Sequence, residues 1–219
     1  MAVKTIDVKE DILNANDMLA ENLKSKFQDS SIFVMNLMSS PGAGKTSVIL
    51  KIIEALSGKT KIGVIEGDIA SDVDAQKIGA TNVDVVQINT AGSCHLDANM
   101  ILGAANQLDL PGKDLVIIEN VGNLVCPAEF KLGENIKVMI LSIPEGHDKP
   151  LKYPLMFTES DALILNKVDL LPHTDFDMQQ LRKTVKAMNP NISIFPLSAK
   201  TGEGVGDLVS WIEQKMSAG

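Results

Sequence analysis

Apolar residues along this chain alternate between short continuous runs and longer stretches with helical spacing. The continuous runs are rich in Val, Ile, Leu and Met and predict seven strands, over residues 32–38, 61–66, 84–88, 114–119, 137–143, 161–165 and 192–197. The stretches between them repeat apolar residues every three or four positions and predict helices over about 46–56, 72–79, 96–107, 150–158, 176–188 and 204–216. Near-continuous apolar strands are typical of a parallel sheet that is covered on both faces. We therefore predict an α/β fold with a mostly parallel sheet of about seven strands and helices on both faces.

The N-terminal stretch has helical spacing of its own. Apolar residues over 10–27 fall on one side of a helix, and they are Ile12, Ala15, Leu19, Leu23 and Phe27. Such a helix buries its apolar side against the rest of a domain. We therefore divide the chain into an N-terminal helix that docks on the core, within residues 1–30, and one domain over residues 31–219.

Composition narrows the class of protein. A chain of 219 residues with 45% hydrophobic content is large enough for one substantial core. Its net charge of −8 argues against a nucleic-acid-binding protein. No apolar run approaches the ~18 residues that span a bilayer, and the first residues lack the apolar segment of a secretory signal. Two cysteines fit a reducing compartment, so we expect a cytoplasmic protein that contacts neither membrane nor nucleic acid.

Residues 39–46 read Ser-Ser-Pro-Gly-Ala-Gly-Lys-Thr, a phosphate-binding loop of the Walker A kind between a predicted strand and a predicted helix. Glycines let backbone N–H groups approach a phosphate, and the helix N-terminus adds its dipole. Lys45 would reach the β- and γ-phosphates, and the Thr46 hydroxyl would bind Mg²⁺. Ser39 replaces the first glycine of the motif, which we expect to strain that corner slightly. The predicted nucleotide-binding residues of this loop are Pro41, Gly42, Ala43, Gly44, Lys45, Thr46 and Ser47.

Two later motifs indicate a guanine nucleotide. Residues 166–169 read Asn-Lys-Val-Asp after a short apolar strand, which is the Asn-Lys-x-Asp signature of GTPases. The Asp169 carboxylate would accept hydrogen bonds from guanine N1–H and the 2-amino group, a donor pair that adenine lacks. Residues 198–200 follow another strand and resemble the second guanine-contacting loop of GTPases. We therefore predict a GTP-binding domain of the P-loop NTPase class over 31–219, whose base-binding residues are Asn166, Lys167, Asp169, Ser198, Ala199 and Lys200.

Acidic residues follow the second and fourth predicted strands. Glu66-Gly67-Asp68 ends the second, and Glu119-Asn120-Val121-Gly122 follows the fourth, where GTPases usually have Asp-x-x-Gly. Glu119 would hold Mg²⁺, and the Gly122 N–H would meet the γ-phosphate. Asp68 would bind Mg²⁺ or orient the attacking water. The predicted catalytic residues are therefore Lys45, Asp68, Glu119 and Gly122.

Three residues near these acids bear on the reaction. Asn123 stands near the place of the water-positioning Gln of other GTPases, so we expect slow intrinsic hydrolysis. Asp74 lies where a first switch loop is expected. Asp72 and Asp74 are equally consistent with ordinary helix N-caps, and the sequence leaves both interpretations open.

The two cysteines of the chain lie on loops that follow strands. Cys94 is followed directly by His95, and Cys126 comes seven residues after Glu119. Two thiolates and an imidazole suit Zn²⁺ or Ni²⁺. From spacing alone, however, two buried structural cysteines are the more frequent explanation.

Three motifs together resemble one family. Ser-Pro-Gly-Ala-Gly-Lys-Thr, Cys-His-Leu-Asp-Ala and Glu-Asn-Val-Gly-Asn-Leu-Val-Cys-Pro-Ala closely resemble the hydrogenase nickel-incorporation GTPases of the HypB type, over about residues 32–216. The resemblance implies a dimerising GTPase of the SIMIBI class, with the signal-recognition GTPases and the nitrogenase iron protein, which helps deliver nickel to [NiFe]-hydrogenase. It also implies that Ni²⁺ or Zn²⁺ binds at a subunit interface to Cys94, His95 and Cys126. The residues that it places around Mg²⁺ are Thr46, Asp74 and Glu119.

The same resemblance implies partners. They are GTP and GDP, a second copy of the chain, a small nickel-binding zinc protein and the hydrogenase large subunit. Some members carry an N-terminal Cys-x-x-Cys-Gly-Cys motif or a His-rich stretch, and neither occurs in residues 1–31, so we expect the G-domain site alone to bind metal. Cys126 lies four residues beyond Gly122, and we hypothesise that GTP and metal promote the dimer and that hydrolysis loosens it.

Three other functions are compared with this one. Urease nickel GTPases place a Cys-Pro-His element in the corresponding loop, whereas this chain has adjacent Cys94-His95 and a separate Cys126. A regulatory, ribosome-associated GTPase without metal delivery is disfavoured by the acidic charge. A plain binding module would keep both cysteines buried without metal.

Overall fold

A computed structural model of the chain describes residues 8–69 and 71–218. Seven strands form one sheet in the order β3-β2-β4-β1-β5-β6-β7. They are β1 (Phe33–Ser39), β2 (Ile62–Asp68), β3 (Asp84–Asn89), β4 (Leu115–Glu119), β5 (Ile136–Ser142), β6 (Ala162–Asn166) and β7 (Ser193–Pro196). Every strand pair among the described residues is parallel, which confirms the predicted sheet. Each strand lies within two residues of its predicted bounds.

Helices connect these strands and confirm most of the predicted ones. They are α1 (Val8–Asp29), α2 (Lys45–Leu56), α3 (Val73–Gly79), α4 (Ala98–Ala105), α5 (Cys126–Glu129), α6 (Lys149–Lys152), α7 (Pro154–Thr158), α8 (Met178–Met188) and α9 (Val205–Ala218). The single helix predicted over 150–158 is wrong, because the chain leaves helical geometry at Tyr153, where φ is −131° and ψ is 57°. The ring of a following proline, here Pro154, disfavours helical backbone at the preceding residue.

The helices cover both faces of the sheet. Helices α2 and α9 pack on one face around Leu37 and Ile52. On the other face, α1 and α4 cover one half around Val34 and Ile101, and α7 and α8 cover the other half around Met139. No helix among residues 8–69 and 71–218 is both long and apolar enough to cross a bilayer.

The buried side of α1 differs from the predicted one. Leu23 and Phe27 are buried as expected. Ile12 is 52% exposed and Ala15 is also exposed, so these two positions are wrong. The buried positions of α1 are Asn16, Ala20, Leu23 and Phe27, which keep the helical spacing but include a polar residue. A pattern of apolar residues alone does not detect such a side.

Parallel pairing brings the carboxyl ends of all the strands to one edge of the sheet. In open α/β sheets this edge binds the ligand. The predicted site residues lie at the ends of strands β2, β4 and β6 or on the loops and helices that directly follow β1, β2, β3, β4, β6 and β7. The topology therefore gathers them into one region.

Candidate functional site

The phosphate loop joins β1 to α2 and leaves the start of α2 open. Gly42 and Gly44 have positive φ, 75° and 102°, and Gly44 is the N-cap of α2 without a side-chain cap bond. The first N–H groups of the helix are therefore available to an anion such as phosphate. A side chain at Gly44 has no room, because a Cβ there would lie 2.5 Å from Asn166 Nδ2.

Lys45 lies beside the residue that departs from the Walker A pattern. Its Nζ donates to Ser39 Oγ at 3.3 Å. Burial lowers the pKa of Lys45, although the carboxylates of Glu119 and Glu66 oppose that shift. Ser39 is the buried last residue of β1 and is not among the residues with positive φ. The strained corner that we expected at Ser39 is therefore wrong, and the serine hydroxyl contacts the lysine instead.

The base-reading loop after β6 is bonded directly to the phosphate loop. Asn166 Nδ2 donates to the Ala43 carbonyl at 2.9 Å, and Asn166 Oδ1 accepts from the Lys167 and Ala199 N–H groups at 2.8 and 3.1 Å. Lys167 Nζ donates to the Gly42 carbonyl at 2.8 Å. The three motifs that sequence placed far apart therefore share one set of hydrogen bonds.

The loop after β7 completes this side of the site. Ser198 Oγ donates to Asp169 Oδ1 at 2.7 Å and accepts from the Thr201 N–H at 3.2 Å. This bond orients a carboxylate that is half-buried, as a base-reading residue must be. Lys200 is exposed at the rim of the same loop.

Two glutamates lie side by side under the phosphate loop. Glu119 Oε1 accepts from Thr46 Oγ1 at 3.0 Å. Glu66, which we did not predict as a site residue, is paired in register with Glu119 across β2 and β4. Among the described residues, the buried Oε2 atoms of both glutamates have no hydrogen-bond partner. The sequence shows Glu66 only as an acid near the end of the second strand, and its position beside Glu119 comes from strand pairing.

Burial raises the pKa of both glutamates, and neighbouring acids add to this shift. Burial, followed by repulsion from Glu119 and Asp68, raises the pKa of Glu66 to about 8. Burial also raises the pKa of Glu119 to about 7, although Lys45 and the Thr46 hydroxyl favour its charged form. Carboxylate and hydroxyl oxygens are the protein ligands that Mg²⁺ prefers. The residues present therefore fit a divalent cation, whose charge would balance the acids.

The remaining acids lie on the β2–α3 segment. Asp74 is in the first turn of α3, ion-paired with Lys77 at 2.7 Å, and it raises the pKa of both glutamates, so its charge acts on this site. Asp72 holds the N-cap position of α3 but makes no side-chain cap bond. The N-cap interpretation is therefore wrong for Asp74. Asp68 ends β2 and accepts from the Ser71 N–H at 2.7 Å.

The loop after β4 lies against the phosphate loop. A Cβ on Gly122 would come within 3.0 Å of the Pro41 backbone, so only glycine fits without displacement. The Asn123 N–H donates to the Ser39 carbonyl at 2.8 Å. Any group that moves the phosphate loop therefore acts directly on this loop.

Three candidate metal ligands lie close together on the segments that follow β3 and β4. One ligand atom each of Cys94, His95 and Cys126 lies within 4.8 Å of the others. The two Sγ atoms are 3.1 Å apart, and His95 Nδ1 is 3.6 Å from Cys94 Sγ. Cys94 is exposed and Cys126 is half-buried, so the alternative of two buried structural cysteines is wrong. A set of two sulfurs and one nitrogen suits Zn²⁺ or Ni²⁺ and leaves a tetrahedral site one ligand short.

The ring of His95 is held in place by an aromatic neighbour. It stacks on Phe130 with centroids 3.9 Å apart. Burial lowers the pKa of His95, which favours the neutral imidazole that binds metal. Burial and the neighbouring Cys94 raise the pKa of the Cys126 thiol.

Two asparagines connect the candidate metal ligands to the candidate nucleotide site. Asn123 Nδ2 donates to the Cys94 carbonyl at 3.2 Å, and its Oδ1 accepts from the Val125 N–H at 2.9 Å. Asn120 is fully buried, and its Oδ1 accepts from the Leu96 and Val121 N–H groups at 3.2 and 2.9 Å. The segment 119–126 is therefore bonded to both loops, and sequence reasoning missed this use of its asparagines.

Known proteins resemble this chain over most of its length. The family model described as CobW/HypB/UreG, nucleotide-binding domain, matches residues 33–196. The hydrogenase maturation factor HypB from Azotobacter chroococcum mcd 1 is 49% identical over 215 residues, which are 98% of this chain and 70% of that protein.

Solved structures extend the likeness to three dimensions. A crystal structure of HypB from Helicobacter pylori in complex with nickel has a TM-score of 0.89 at 36% identity, over 93% of this chain and 96% of that one. The signal recognition particle receptor FtsY from Elizabethkingia anophelis, in complex with GDP, has a TM-score of 0.54 at 16% identity, over 83% of this chain and 65% of that one. This second likeness concerns the fold alone.

Proposed function

Since this chain belongs to the CobW/HypB/UreG family, and within it to the HypB type, we propose that it is a GTP-hydrolysing metallochaperone that helps insert nickel into [NiFe]-hydrogenase during maturation. One observation carries the proposal beyond family membership. The group Cys94, His95 and Cys126 lies on the surface, bonded through Asn123 to the loop that contacts the phosphate loop. A nickel site in that position can respond to the nucleotide.

Guanine recognition rests on Asp169, which Ser198 orients. The open N-terminus of α2 and Lys45 bind the phosphates, and the charge of Lys45 stabilises the transferring phosphoryl group. Thr46 and Glu119, with Asp74 nearby, would hold Mg²⁺, which would supply charge neutralisation for phosphoryl transfer.

Intrinsic hydrolysis is slow in this proposal. The amide of Asn123 already bonds the Cys94 carbonyl and the Val125 N–H, so its side chain points toward the metal loop. A residue occupied in this way does not orient an attacking water as the Gln of other GTPases does. Asp68, at the end of β2, is the proposed water-orienting residue.

Nickel is the cargo, and the site is built to release it. Three protein ligands on a surface leave one tetrahedral position open. A second copy of the chain, or water, fills that position, so affinity depends on how two copies meet. We propose that GTP promotes a metal-bridged homodimer and that hydrolysis loosens it. The receivers and donors of the metal are other maturation proteins, such as a small nickel-binding zinc protein and the hydrogenase large subunit.

The test measures metal and nucleotide together. Ni²⁺ and Zn²⁺ are titrated into protein loaded with GDP or with a non-hydrolysable GTP analogue, and sedimentation reports the oligomeric state. Because coupling is reciprocal, we expect the two nucleotides to give different metal affinities, and the metal to change nucleotide affinity by the same factor. Equal affinities and equal oligomeric states would contradict the coupling but not the metal site.

A second experiment tests delivery itself. Cells that lack their own HypB-type GTPase receive this chain or its Cys94→Ser variant, and hydrogenase activity is measured at limiting nickel. Ser217→Ala, which removes an exposed hydroxyl on α9 and leaves the loops of the three ligands unchanged, is the control. The proposal expects activity with wild type and Ser217→Ala and little with Cys94→Ser; equal activity in all three would exclude a delivery role for this site.

A further inference from the structure

Asn16 is a buried amide on the otherwise apolar side of α1. Only 8% of it is exposed, whereas nearby Met18 is 74% exposed. Burying an amide in a core costs free energy unless its donor and acceptor are both bonded. Because α1 buries the Asn16 side chain while it exposes Met18, we look for a specific hydrogen-bonding role of the Asn16 amide group.

The partners of Asn16 are two backbone groups beside the metal ligands. Its Oδ1 accepts from the Ala98 N–H at 2.8 Å, and its Nδ2 donates to the Lys131 carbonyl at 2.9 Å. Ala98 is three residues after His95 and begins α4. Lys131 is five residues after Cys126, directly after Phe130, on which the His95 ring stacks.

We propose that Asn16 is a positioning residue of the metal centre, which holds the two ligand-bearing segments at a fixed separation. One amide joins the segment that carries Cys94 and His95 to the segment that carries Cys126. One segment follows β3 and is bonded to Asn16 at Ala98, and the other follows β4 and is bonded to Asn16 at Lys131. Helix α1 is thus part of the metal site as well as a helix that docks on the core. This inference rests on the proposed metal binding by these three ligands.

Neighbouring contacts of α1 supply the controls. Asp17 pairs with Lys131 Nζ at 2.7 Å, so Asp17→Asn disturbs the same residue without touching its carbonyl. Lys26 bonds Asn106 at the far end of α4, so Lys26→Ala weakens the α1–α4 contact away from the metal. Leu23→Val removes buried volume from the same side of α1 and tests general destabilisation.

The experiment uses Co²⁺ alone as probe, with the full chain and no nucleotide. Thiolate-to-cobalt and d–d absorption report both affinity and ligand geometry. For Asn16→Ala we expect about tenfold weaker Co²⁺ binding, typical of lost outer-shell support, with altered d–d bands. The three controls should keep the wild-type affinity and spectrum, and all five proteins should bind GDP equally.

Two outcomes separate this inference from the proposed function. Wild-type affinity and spectrum in folded Asn16→Ala would overturn the positioning role while leaving the metal site intact. Absence of Co²⁺ binding by the wild type would instead contradict the metal site itself. If Asn16→Ala does not fold, Asn16→Asp decides in its place, since it keeps the acceptor for Ala98 and loses the donor to Lys131.

Discussion

The proposed nucleotide site and the proposed metal site of this protein lie next to each other, but their parts are held together in different ways. The base and phosphate loops are bonded to each other through a buried side chain, that of Asn166, which contacts Ala43 and Ala199. The candidate metal ligands lie on two separate segments near the surface. The side chains of Asn123 and Asn16 make the hydrogen bonds to the backbone of these segments.

This difference indicates which site is preformed and which responds. Loops that are bonded to each other through a buried side chain resist rearrangement, which favours selectivity for one base. A site assembled from two surface segments changes when either segment shifts, which favours uptake and release. The four predictions below test this division, from the largest expected effect to the smallest.

Lys45→Ala tests whether a change in the phosphate loop leaves metal binding at the other site unaffected. Loss of the charge that stabilises the phosphoryl group should lower GTP hydrolysis by about 10³-fold. The fold and the Zn²⁺ affinity of nucleotide-free protein should not change, because Lys45 contacts neither metal-bearing segment. Phosphate release and Zn²⁺ titration measure the two quantities. Turnover within tenfold of wild type would remove the phosphate loop as active site.

Asp169→Asn tests the preformed character of the base site. The amide pairs with xanthine rather than guanine, so GTP affinity should fall at least about 100-fold while XTP affinity rises. Competition binding with both nucleotides measures the exchange. A flexible loop would readjust and keep GTP, so wild-type GTP affinity in this variant would contradict the assignment.

Glu66→Gln tests how much the buried acids lower the free energy of unfolding as the pH rises. The folded-state pKa of Glu66 is raised to about 8 from the ordinary 4.5. Its contribution to stability is therefore fully present below about pH 4.5 and is lost as pH rises through about 8. Between about pH 6 and pH 9, nucleotide-free wild type in chelator should lose about 1–2 kcal/mol more than Glu66→Gln.

Urea unfolding at several pH values measures this difference, with Glu54→Gln on the exposed side of α2 as control. Parallel profiles of wild type and Glu66→Gln would show that the acid pair does not titrate as its burial requires.

Asn123→Ala tests the contact between the two sites and should have the smallest effect. Losing the bonds to the Cys94 carbonyl and the Val125 N–H should reduce the ratio of metal affinities with GTP analogue and GDP, by about fivefold. Asn106→Ala, on the far end of α4, is the control. An unchanged ratio would mean that coupling runs through the backbone of Gly122 and Cys126 alone.

Much of the fold follows from the sequence because each strand is a continuous apolar run. The exceptions have local causes: Pro154 divides a predicted helix, and α5 (Cys126–Glu129) is too short to show periodicity. The face of α1 was misjudged because Asn16 is polar, and burial of an amide depends on partners 82 and 115 residues away.

The nucleotide motifs are readable because phosphate and guanine demand fixed residues at fixed spacing. Glu66 was missed because its role comes from register with Glu119, which sequence spacing does not contain. The candidate metal ligands could not be predicted from spacing either, because spacing alone favoured two buried structural cysteines. The motifs of the whole loops, through their resemblance to a family, predicted metal ligands.

The bonds of Asn16 also bear on how the protein is made. Its partner carbonyl, on Lys131, is synthesised 115 residues later, which at about 5–20 residues per second takes roughly 6–23 seconds. Until then, the Asn16 amide lacks the partner that its Nδ2 has in the folded protein. Helix α1 therefore completes the contacts of Asn16 only after the segment up to Lys131 has been made.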